Sequence, residues 1–152
     1  MNVVRLPDTA FSNNPFGQTI SSADILDTLG FFDSWEDRYK YIIDLGKDLP
    51  PMPADLQTED RLVRGCQSQV WIETRLIDGR LRMLVDSDAF IVKGLLGLVL
   101  AAYNNKSPAD ILAFDMESYF EQLDLVRHLS ATRGNGLRAM VQQIRDIASQ
   151  SS

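Results

Sequence analysis

The sequence is poor in the residues that most often build catalytic and metal centres. Its 152 residues include one cysteine, Cys66, and one histidine, His128. A single cysteine excludes an intramolecular disulfide framework and a structural zinc site built on several cysteines. It also excludes a dithiol oxidoreductase, which needs a second, resolving cysteine. Because disulfides are rare in the reducing cytosol, we expect a cytoplasmic protein.

Basic residues are also few, with 15 lysines and arginines against 21 aspartates and glutamates, which gives a net charge of -6. This balance argues against nucleic-acid binding and adsorption to anionic membranes, because both need clustered positive charge. The longest apolar run, residues 95–103, is far too short to span a bilayer. Pro7, Asp8 and Pro15 interrupt the N-terminal stretch, so it lacks the apolar core of a signal peptide. We therefore expect neither a nucleic-acid partner nor membrane association.

The hydrophobic fraction of 45% is typical of a globular protein and is enough to bury a core within one domain. Ser21 or Ser22 can cap a helix that ends near residue 32. A clearer helix is predicted over residues 35–47, with Ser34 as its N-cap and apolar residues at helical spacing along one face.

The strongest local signal is a β-hairpin. The stretches "VWIETRLI" and "RLRMLVD" are joined by Asp78-Gly79, a preferred pair for a two-residue type I′ turn. On one face, which we expect to pack on helices, this register pairs Leu76 with Leu81, Thr74 with Met83 and Ile72 with Val85. The opposite face is mixed, with Glu73 diagonal to two arginines, so we expect it to be at least partly solvated.

The segment after the hairpin predicts a helix that is apolar nearly all round, which is typical of a buried central helix. Ser87 or Asp88 can act as its N-cap. Gly94 and Gly97 carry no side chain, so another backbone can pack closely against them.

Three further helices are predicted, one opened by Ser107-Pro108, one over "MESYFEQL" and the last over residues 130–150. The order of helices, a hairpin and more helices predicts an α+β fold with a small antiparallel sheet packed against helices. We expect residues 1–20 to form a flexible N-terminal extension. We expect residues 21–150 to form a single domain.

Cys66 lies at the end of a long predicted loop, "PPMPADLQTEDRLVRGCQSQ", and loops of this length in compact domains are usually functional or disordered. Its neighbours are polar. Arg64 can stabilise a thiolate by its charge, and Gly65 gives the backbone conformational freedom. The alternative interpretation is an inert cysteine that packs as a small hydrophobe in a protein-interaction module.

The chemistry of a solitary thiol narrows the choice of function. A thiol hydrolase needs a base beside the nucleophile, and His128 is the only histidine; it is more often a surface or capping residue in such a position. A thiol that receives and passes on sulfur needs no base, metal or cofactor, because its thiolate attacks the outer sulfur of another protein's persulfide. The absence of a second cysteine is then an advantage, since a neighbouring thiol would close a disulfide and release the sulfur.

Two other features invite a functional interpretation. Asp86 and Asp88 can be read as a metal-binding pair, although a strand-end aspartate and a helix N-cap are the simpler interpretation. The stretch "TRGNG" resembles a glycine-rich phosphate loop but lacks the preceding strand, so a flexible helix start is the alternative. In a functional interpretation, Arg133 lies on a mobile segment near the thiol.

Four stretches resemble the SufE-like family of cysteine-desulfuration proteins, in the order in which that family has them. They are "WEDRYKYIIDLGKDLP" at 35–50, "GCQSQVW" at 65–71, "DSDAFIVKGLLGLVL" at 86–100 and "LSATRGNGLRAM" at 129–140. The leader "NPFGQTI" resembles the CsdE branch of the family, whereas "GCQSQVW" is more similar to the SufE branch. Both branches are therefore consistent with the sequence.

The resemblance implies an α+β fold like that of the iron–sulfur scaffold protein IscU. It implies that Cys66 accepts sulfur from the persulfide of a pyridoxal-phosphate-dependent cysteine desulfurase of the SufS or CsdA type. The protein would stimulate that enzyme and relay sulfur to an iron–sulfur scaffold or another acceptor. Pyridoxal phosphate would belong to the partner, so this chain would be a carrier and activator without its own cofactor or metal.

The resemblance also assigns roles to residues other than Cys66. Arg133 matches an arginine of the family and would dock the partner or position the loop. Gly65, Gln67, Gln69 and Asp86 would shape the thiol loop. Where the family more often has "SRSQG", this chain has "TRGNG", which leaves no detailed role for the asparagine of that stretch.

Overall fold

The computed structural model describes residues 7–63, 69–125 and 127–151. Its fold is α+β, as the sequence predicts, with a two-stranded antiparallel sheet among helices. The elements in chain order are α1 (Asp8–Ser12), α2 (Ser22–Leu29), α3 (Trp35–Gly46), β1 (Val70–Ile77), β2 (Arg80–Ser87), α4 (Phe90–Tyr103), α5 (Pro108–Ala113), α6 (Met116–Leu123) and α7 (Ala131–Ser151). Two 3-10 helices, Ala54–Leu56 and Glu59–Arg61, lie between α3 and β1.

The hairpin has the predicted register. Leu76 pairs with Leu81 and Ile72 pairs with Val85 along an antiparallel ladder. Asp78 and Gly79 have φ angles of 54° and 77°, which is the left-handed conformation that a type I′ turn requires at both central positions. The predicted Asp-Gly turn is therefore confirmed, and with it the two faces of the sheet.

One face of the hairpin packs on the main core as predicted, through Ile72, Met83 and Val85. The other face is less solvated than the sequence suggests, because Trp71 and Leu84 are buried in a second apolar cluster there. The rest of that cluster comes from segments distant in sequence, namely Phe11, Met52 and Leu56. The alternation of polar and apolar residues within a strand cannot reveal this cover.

Helix α4 is the centre of the molecule, with every residue from Gly94 to Tyr103 buried. Helix α3 lies close against it, since a Cβ atom on Gly94 would stand 2.1 Å from the Ile42 carbonyl oxygen. The close packing predicted at Gly94 is thus confirmed. In the described part of the chain, no helix combines the length and the apolarity needed to cross a membrane.

Residues 7–20, expected from the sequence to belong to a flexible extension, pack on the core. Phe11 and Phe16 are fully buried. The buried side chain of Asn104 fixes the segment by donating to the Phe16 carbonyl oxygen (2.9 Å) while accepting from the Met83 amide (2.8 Å). Asn14 donates to the Met83 carbonyl oxygen at 3.3 Å. The prolines and polar residues suggested mobility, but the two phenylalanines bury enough apolar surface to hold the segment.

Three of the predicted helix N-caps are confirmed and one is wrong. Ser21, Ser34 and Ser107 each accept a hydrogen bond from the third helical amide, and Ser21 completes a capping box. Helix α4 differs, because its N-cap is Ala89 and makes no side-chain hydrogen bond. The prediction that Ser87 or Asp88 takes that position is wrong: the Ser87 hydroxyl accepts from the Ala89 amide at 3.3 Å and donates to the Gln69 carbonyl oxygen, and the Asp88 carboxylate accepts from the Gln69 amide.

Candidate functional site

Cys66 lies outside the described residues, together with Arg64, Gly65 and Gln67, so the structural roles predicted for these four stay predictions. We refer to residues 64–68 as the thiol segment. The structure describes the residues on both of its sides, Val63 before it and Gln69 after it. We call the residues that hold these two sides the frame; they are Val63, Gln69, Val70, Ser87 and Asp88.

The two sides of the thiol segment are tied to each other through β1. The Val63 amide donates to the Val70 carbonyl oxygen at 2.8 Å. One step further out, Leu62 and Trp71 form an antiparallel bridge. Val63, Val70 and Trp71 are buried. Six residues, 64–69, thus connect two paired and buried backbone segments, which fixes the position of Val63 relative to Val70.

On the C-terminal side, Gln69 is held by its main chain. Its amide donates to the Asp88 carboxylate at 3.1 Å. Its carbonyl oxygen accepts from the Ser87 hydroxyl at 2.7 Å and from the Asp88 amide at 3.3 Å. Ser87 and Asp88 therefore hold the end of the thiol segment against the start of α4. The loop-shaping role predicted for Gln69 stays a prediction, and its exposed side chain takes no part in these bonds.

Asp86 is a buried carboxylate that supports the same end of the frame. It accepts hydrogen bonds from the Met52 amide (3.1 Å) and the Ser87 amide (2.8 Å). The Lys93 ammonium lies 3.3 Å from its Oδ1 atom. These partners satisfy the carboxylate within the protein. Among the described residues, no group of three potential ligands is placed to hold a metal ion.

A second attachment lies on the N-terminal side of the thiol segment. The Arg61 guanidinium pairs with the Glu73 carboxylate of β1 and donates to the Thr58 hydroxyl at 2.8 Å. Both charged side chains are about three-quarters covered, with 26% and 29% of their surface exposed. The sequence placed Glu73 diagonal to two arginines of the hairpin, whereas its partner Arg61 comes from the preceding loop. This pair fastens the chain just before the thiol segment to the sheet.

Arg133 occupies the first turn of α7, where its amide donates to the Ser130 hydroxyl at 3.2 Å. Its neighbour Gly134 is part of the same helix, so "TRGNG" forms a helix start. Among the described contacts, none joins Arg133 to Gln69 or Asp86. Its predicted nearness to the thiol therefore stays a prediction.

His128 contacts Trp35 and Asp124. Its ring stacks on the Trp35 ring, with centroids 3.9 Å apart and planes 7° from parallel. Its Nε2 atom lies 3.4 Å from the Asp124 carboxylate. These contacts suit a residue that joins the α6–α7 connection to the start of α3, and they favour the structural interpretation of this histidine over a catalytic one.

Sequence analysis did not predict that Ser87 and Asp88 bind Gln69, or that Arg61 pairs with Glu73. The signal for the first two was present, since "DSD" stands in one of the family-like stretches. A helix-cap interpretation concealed it, because serine and aspartate before a helix most often bond to that helix. For Arg61 no local signal exists, because its partner is 12 residues away.

Comparisons with known proteins agree with the resemblance read from the sequence. The model of the SufE family, described as an Fe-S metabolism associated domain, matches residues 23–148. An uncharacterized SufE-like protein of Rhizobium meliloti is 43% identical over 128 residues, covering 82% of this chain and 91% of that protein. Another from Rhizobium etli is 44% identical over 128 residues, covering 82% of this chain and 86% of its own.

The fold is also similar to a solved structure. The solution structure of a hypothetical protein from Thermus thermophilus matches with a TM-score of 0.70 and 19% identity, over 85% of this chain and 93% of that one. This likeness concerns the fold alone. The family model and the two relatives decide the family: this chain belongs to the SufE family, whose domain is associated with Fe-S metabolism.

Proposed function

We propose that this protein is a sulfur carrier in which Cys66 accepts sulfur from the persulfide of a cysteine desulfurase and passes it towards iron–sulfur cluster assembly. Family membership supports an association with Fe-S metabolism. Cys66 is the only thiol in the chain, so it is the only residue of the chain that can form a persulfide. The carrier acts in the cytoplasm and stimulates the desulfurase by removing its bound sulfur.

The transfer is a thiol–disulfide type exchange. The Cys66 thiolate attacks the outer sulfur of the donor persulfide, and a new S–S bond forms on Cys66. The S–S bond to the donor cysteine breaks, and that cysteine leaves as a thiolate. No net oxidation or reduction occurs, and the outer sulfur has only changed carriers. A second exchange of the same kind delivers it to a thiol of the next acceptor.

The observation that carries the proposal is the way the frame holds the ends of the thiol segment. Val63 and Val70 are paired, and Ser87 and Asp88 bind Gln69 through three hydrogen bonds. Such a frame fixes the two residues between which the thiol is carried, Val63 and Gln69, at a defined place in the fold. A thiol that exchanges sulfur between two proteins needs a defined attachment of this kind.

The remaining predicted residues have supporting roles in this proposal. Asp86 stabilises the frame beneath Ser87, and Gln69 ends it. Gly65 and Gln67 shape the thiol segment, and Arg64 favours the thiolate by its charge. Arg133 contacts the partner. Pyridoxal phosphate stays in the desulfurase, where it releases the sulfur of free cysteine, and this chain uses no cofactor of its own.

Intact-protein mass spectrometry under non-reducing conditions tests the proposal. The protein is incubated with cysteine and each cysteine desulfurase of its source organism, with Cys66→Ser as the control. We expect a gain of one or more sulfur atoms that reductant removes and that the variant lacks. No gain with any demonstrably active desulfurase would contradict the carrier function and favour an interaction module with an inert thiol.

A further inference from the structure

Phe90 is an exposed aromatic residue at the start of the most buried helix. It opens α4, of which residues 94–103 are all buried, yet 75% of its own surface is exposed. Phe11, Phe16 and Phe120 are buried by comparison. An exposed phenylalanine ring leaves more than about 100 Å² of mostly apolar surface in water, on the order of three-quarters of the roughly 150–250 Å² that such a ring can bury. Only about a quarter of the surface of Phe90 is covered.

The position of Phe90 relative to the thiol segment is fixed by the main chain. Asp88 is hydrogen-bonded to Gln69 in both directions, and Phe90 follows Asp88 by two residues. Since consecutive Cα atoms are about 3.8 Å apart, the Cα atoms of Phe90 and Asp88 lie within about 8 Å of each other. Cys66 precedes Gln69 by three residues, which is at most about 11 Å of chain. The Cα atom of Phe90 therefore lies close to Gln69, the anchored end of the thiol segment.

The other exposed large hydrophobic residues in the described part of the chain lie elsewhere. Leu76 is next to the hairpin turn, six residues along β1 from Val70, or about 20 Å at the usual rise of a strand. Phe31 lies in the connection between α2 and α3. Of these three exposed residues, Phe90 is the one that lies two positions after Asp88, the residue that binds Gln69 through its main chain and its carboxylate.

Sulfur transfer requires the donor protein to contact the surface around Cys66. The donor sulfur has to touch the Cys66 sulfur, so the donor protein covers this region. A standard interface buries about 800 Å² on each partner, which is a patch of roughly 16 Å radius. A donor centred on the thiol segment would therefore extend over the surface beside its anchored end, where Phe90 is exposed.

We propose that Phe90 is an apolar docking anchor for the sulfur-donating cysteine desulfurase, whose surface offers an apolar pocket beside its persulfide-bearing cysteine. This inference rests on the proposed carrier function. Large aromatic side chains near the centre of an interface, surrounded by polar contacts that exclude water, commonly dominate its affinity. Polar groups are near Phe90 in the chain: exposed Asp88 precedes it by two residues, and Lys93, paired with Asp86, follows it by three.

The test compares Phe90→Ala with Phe31→Ala, a similarly exposed phenylalanine in the connection between α2 and α3, and with Phe90→Leu, which keeps an apolar side chain. Sulfur loading of Cys66 by the intact desulfurase is followed by mass spectrometry at increasing carrier concentration. We expect Phe90→Ala to need about tenfold more protein for half-maximal loading, with Phe31→Ala like wild type and Phe90→Leu in between. Thermal unfolding and the rate of Cys66 alkylation by iodoacetamide should be unchanged in all three, since Phe90 supports neither the core nor the thiol.

The outcomes separate the docking inference from the carrier function. Cys66-dependent loading with the same half-maximal concentration for wild type and Phe90→Ala would overturn the docking role and leave the carrier function standing. An equal loss in Phe31→Ala would also overturn it, because the effect would not be specific to this position. Absence of loading in the wild-type protein with every active desulfurase would overturn both.

Discussion

Asp88 and Gln69 bind each other twice, although they lie 19 positions apart in the sequence. The Gln69 amide donates to the Asp88 carboxylate at 3.1 Å, and the Asp88 amide donates to the Gln69 carbonyl oxygen at 3.3 Å. This reciprocal contact fixes the residue that follows the thiol segment to the start of the connection into α4. Together with the Ser87 hydroxyl, which donates to the same carbonyl oxygen, these two bonds hold the Gln69 main chain.

Replacing Asp88 with alanine should loosen the thiol segment and leave the fold nearly as stable. The variant loses one exposed acceptor, so the free energy of unfolding should fall by no more than about 1 kcal/mol. Iodoacetamide should alkylate Cys66 several times faster, and the Gln69 amide should exchange hydrogen faster. Asp88→Asn keeps an acceptor and should behave like wild type, as should Asp27→Ala, which removes an exposed carboxylate from α2. Equal alkylation rates in all four proteins would show that the contact does not restrain the segment.

Replacing Asp86 with alanine should be much more costly. The buried carboxylate serves the amides of Met52 and Ser87 and pairs with Lys93. Its removal leaves two amides and a partly buried ammonium without their acceptor, so we expect a loss of about 2–4 kcal/mol in urea unfolding. Asp86→Asn retains an acceptor oxygen and should lose less than half as much. If the alanine variant were as stable as the asparagine variant, the assigned hydrogen bonds would not matter.

Gly94→Ala tests the close approach of α3 and α4. A Cβ atom there would stand 2.1 Å from the Ile42 carbonyl oxygen, which forces the helices apart. We expect a loss of about 3 kcal/mol or more in the free energy of unfolding. Gly134→Ala is the matched control, because nothing lies within 4 Å of its Cβ position in α7, and it should gain about 0.5–1 kcal/mol from helix propensity. Thermal and urea unfolding of the two variants measure the expected loss of stability in Gly94→Ala and the expected gain in Gly134→Ala.

Phe16→Ala tests whether the N-terminal segment belongs to the core. The ring is fully buried against Gly97, so its truncation should cost about 3–5 kcal/mol. Phe31→Ala, which removes a ring that is 83% exposed, should stay within about 0.5 kcal/mol of wild type. Similar stabilities for the two variants would contradict the packing of residues 7–20 on the core.

The stability of the protein should fall above about pH 10, and Tyr119 should contribute to the fall. Burial raises the pKa of Tyr119 above its ordinary value of 10.0, and its hydroxyl donates to the Leu98 carbonyl oxygen at 2.9 Å. Above about pH 10 the unfolded chain ionises this phenol while the folded chain keeps it protonated, so rising pH favours unfolding. Tyr119→Phe should lose about 1 kcal/mol at neutral pH and show a shallower decline in stability as the pH rises past about 10 in urea unfolding. Parallel curves for the two proteins would contradict the assignment.

Several features of the protein follow from the sequence alone because they depend on neighbouring residues. The Asp78-Gly79 pair determines the turn, and the turn determines the register of the hairpin. Ser21, Ser34 and Ser107 mark helix starts through bonds to amides three residues away. The single cysteine limits the chemistry, and the family-like stretches around it predict the family that the comparisons then show.

Only the tertiary structure decided which surfaces are covered and which polar groups meet. The cover on the second face of the hairpin comes from Phe11, Met52 and Leu56, each of which is distant in sequence from the strands it covers. Ser87 and Asp88 bind Gln69 instead of capping α4, because the buried end of β1 brings that main chain within reach. Phe90 stays exposed although it begins an apolar helix. Local sequence patterns determine hydrogen bonds between neighbouring residues. Burial and long-range pairing depend instead on the packing of segments that are distant in sequence, and no periodic pattern in the sequence indicates which segments will meet.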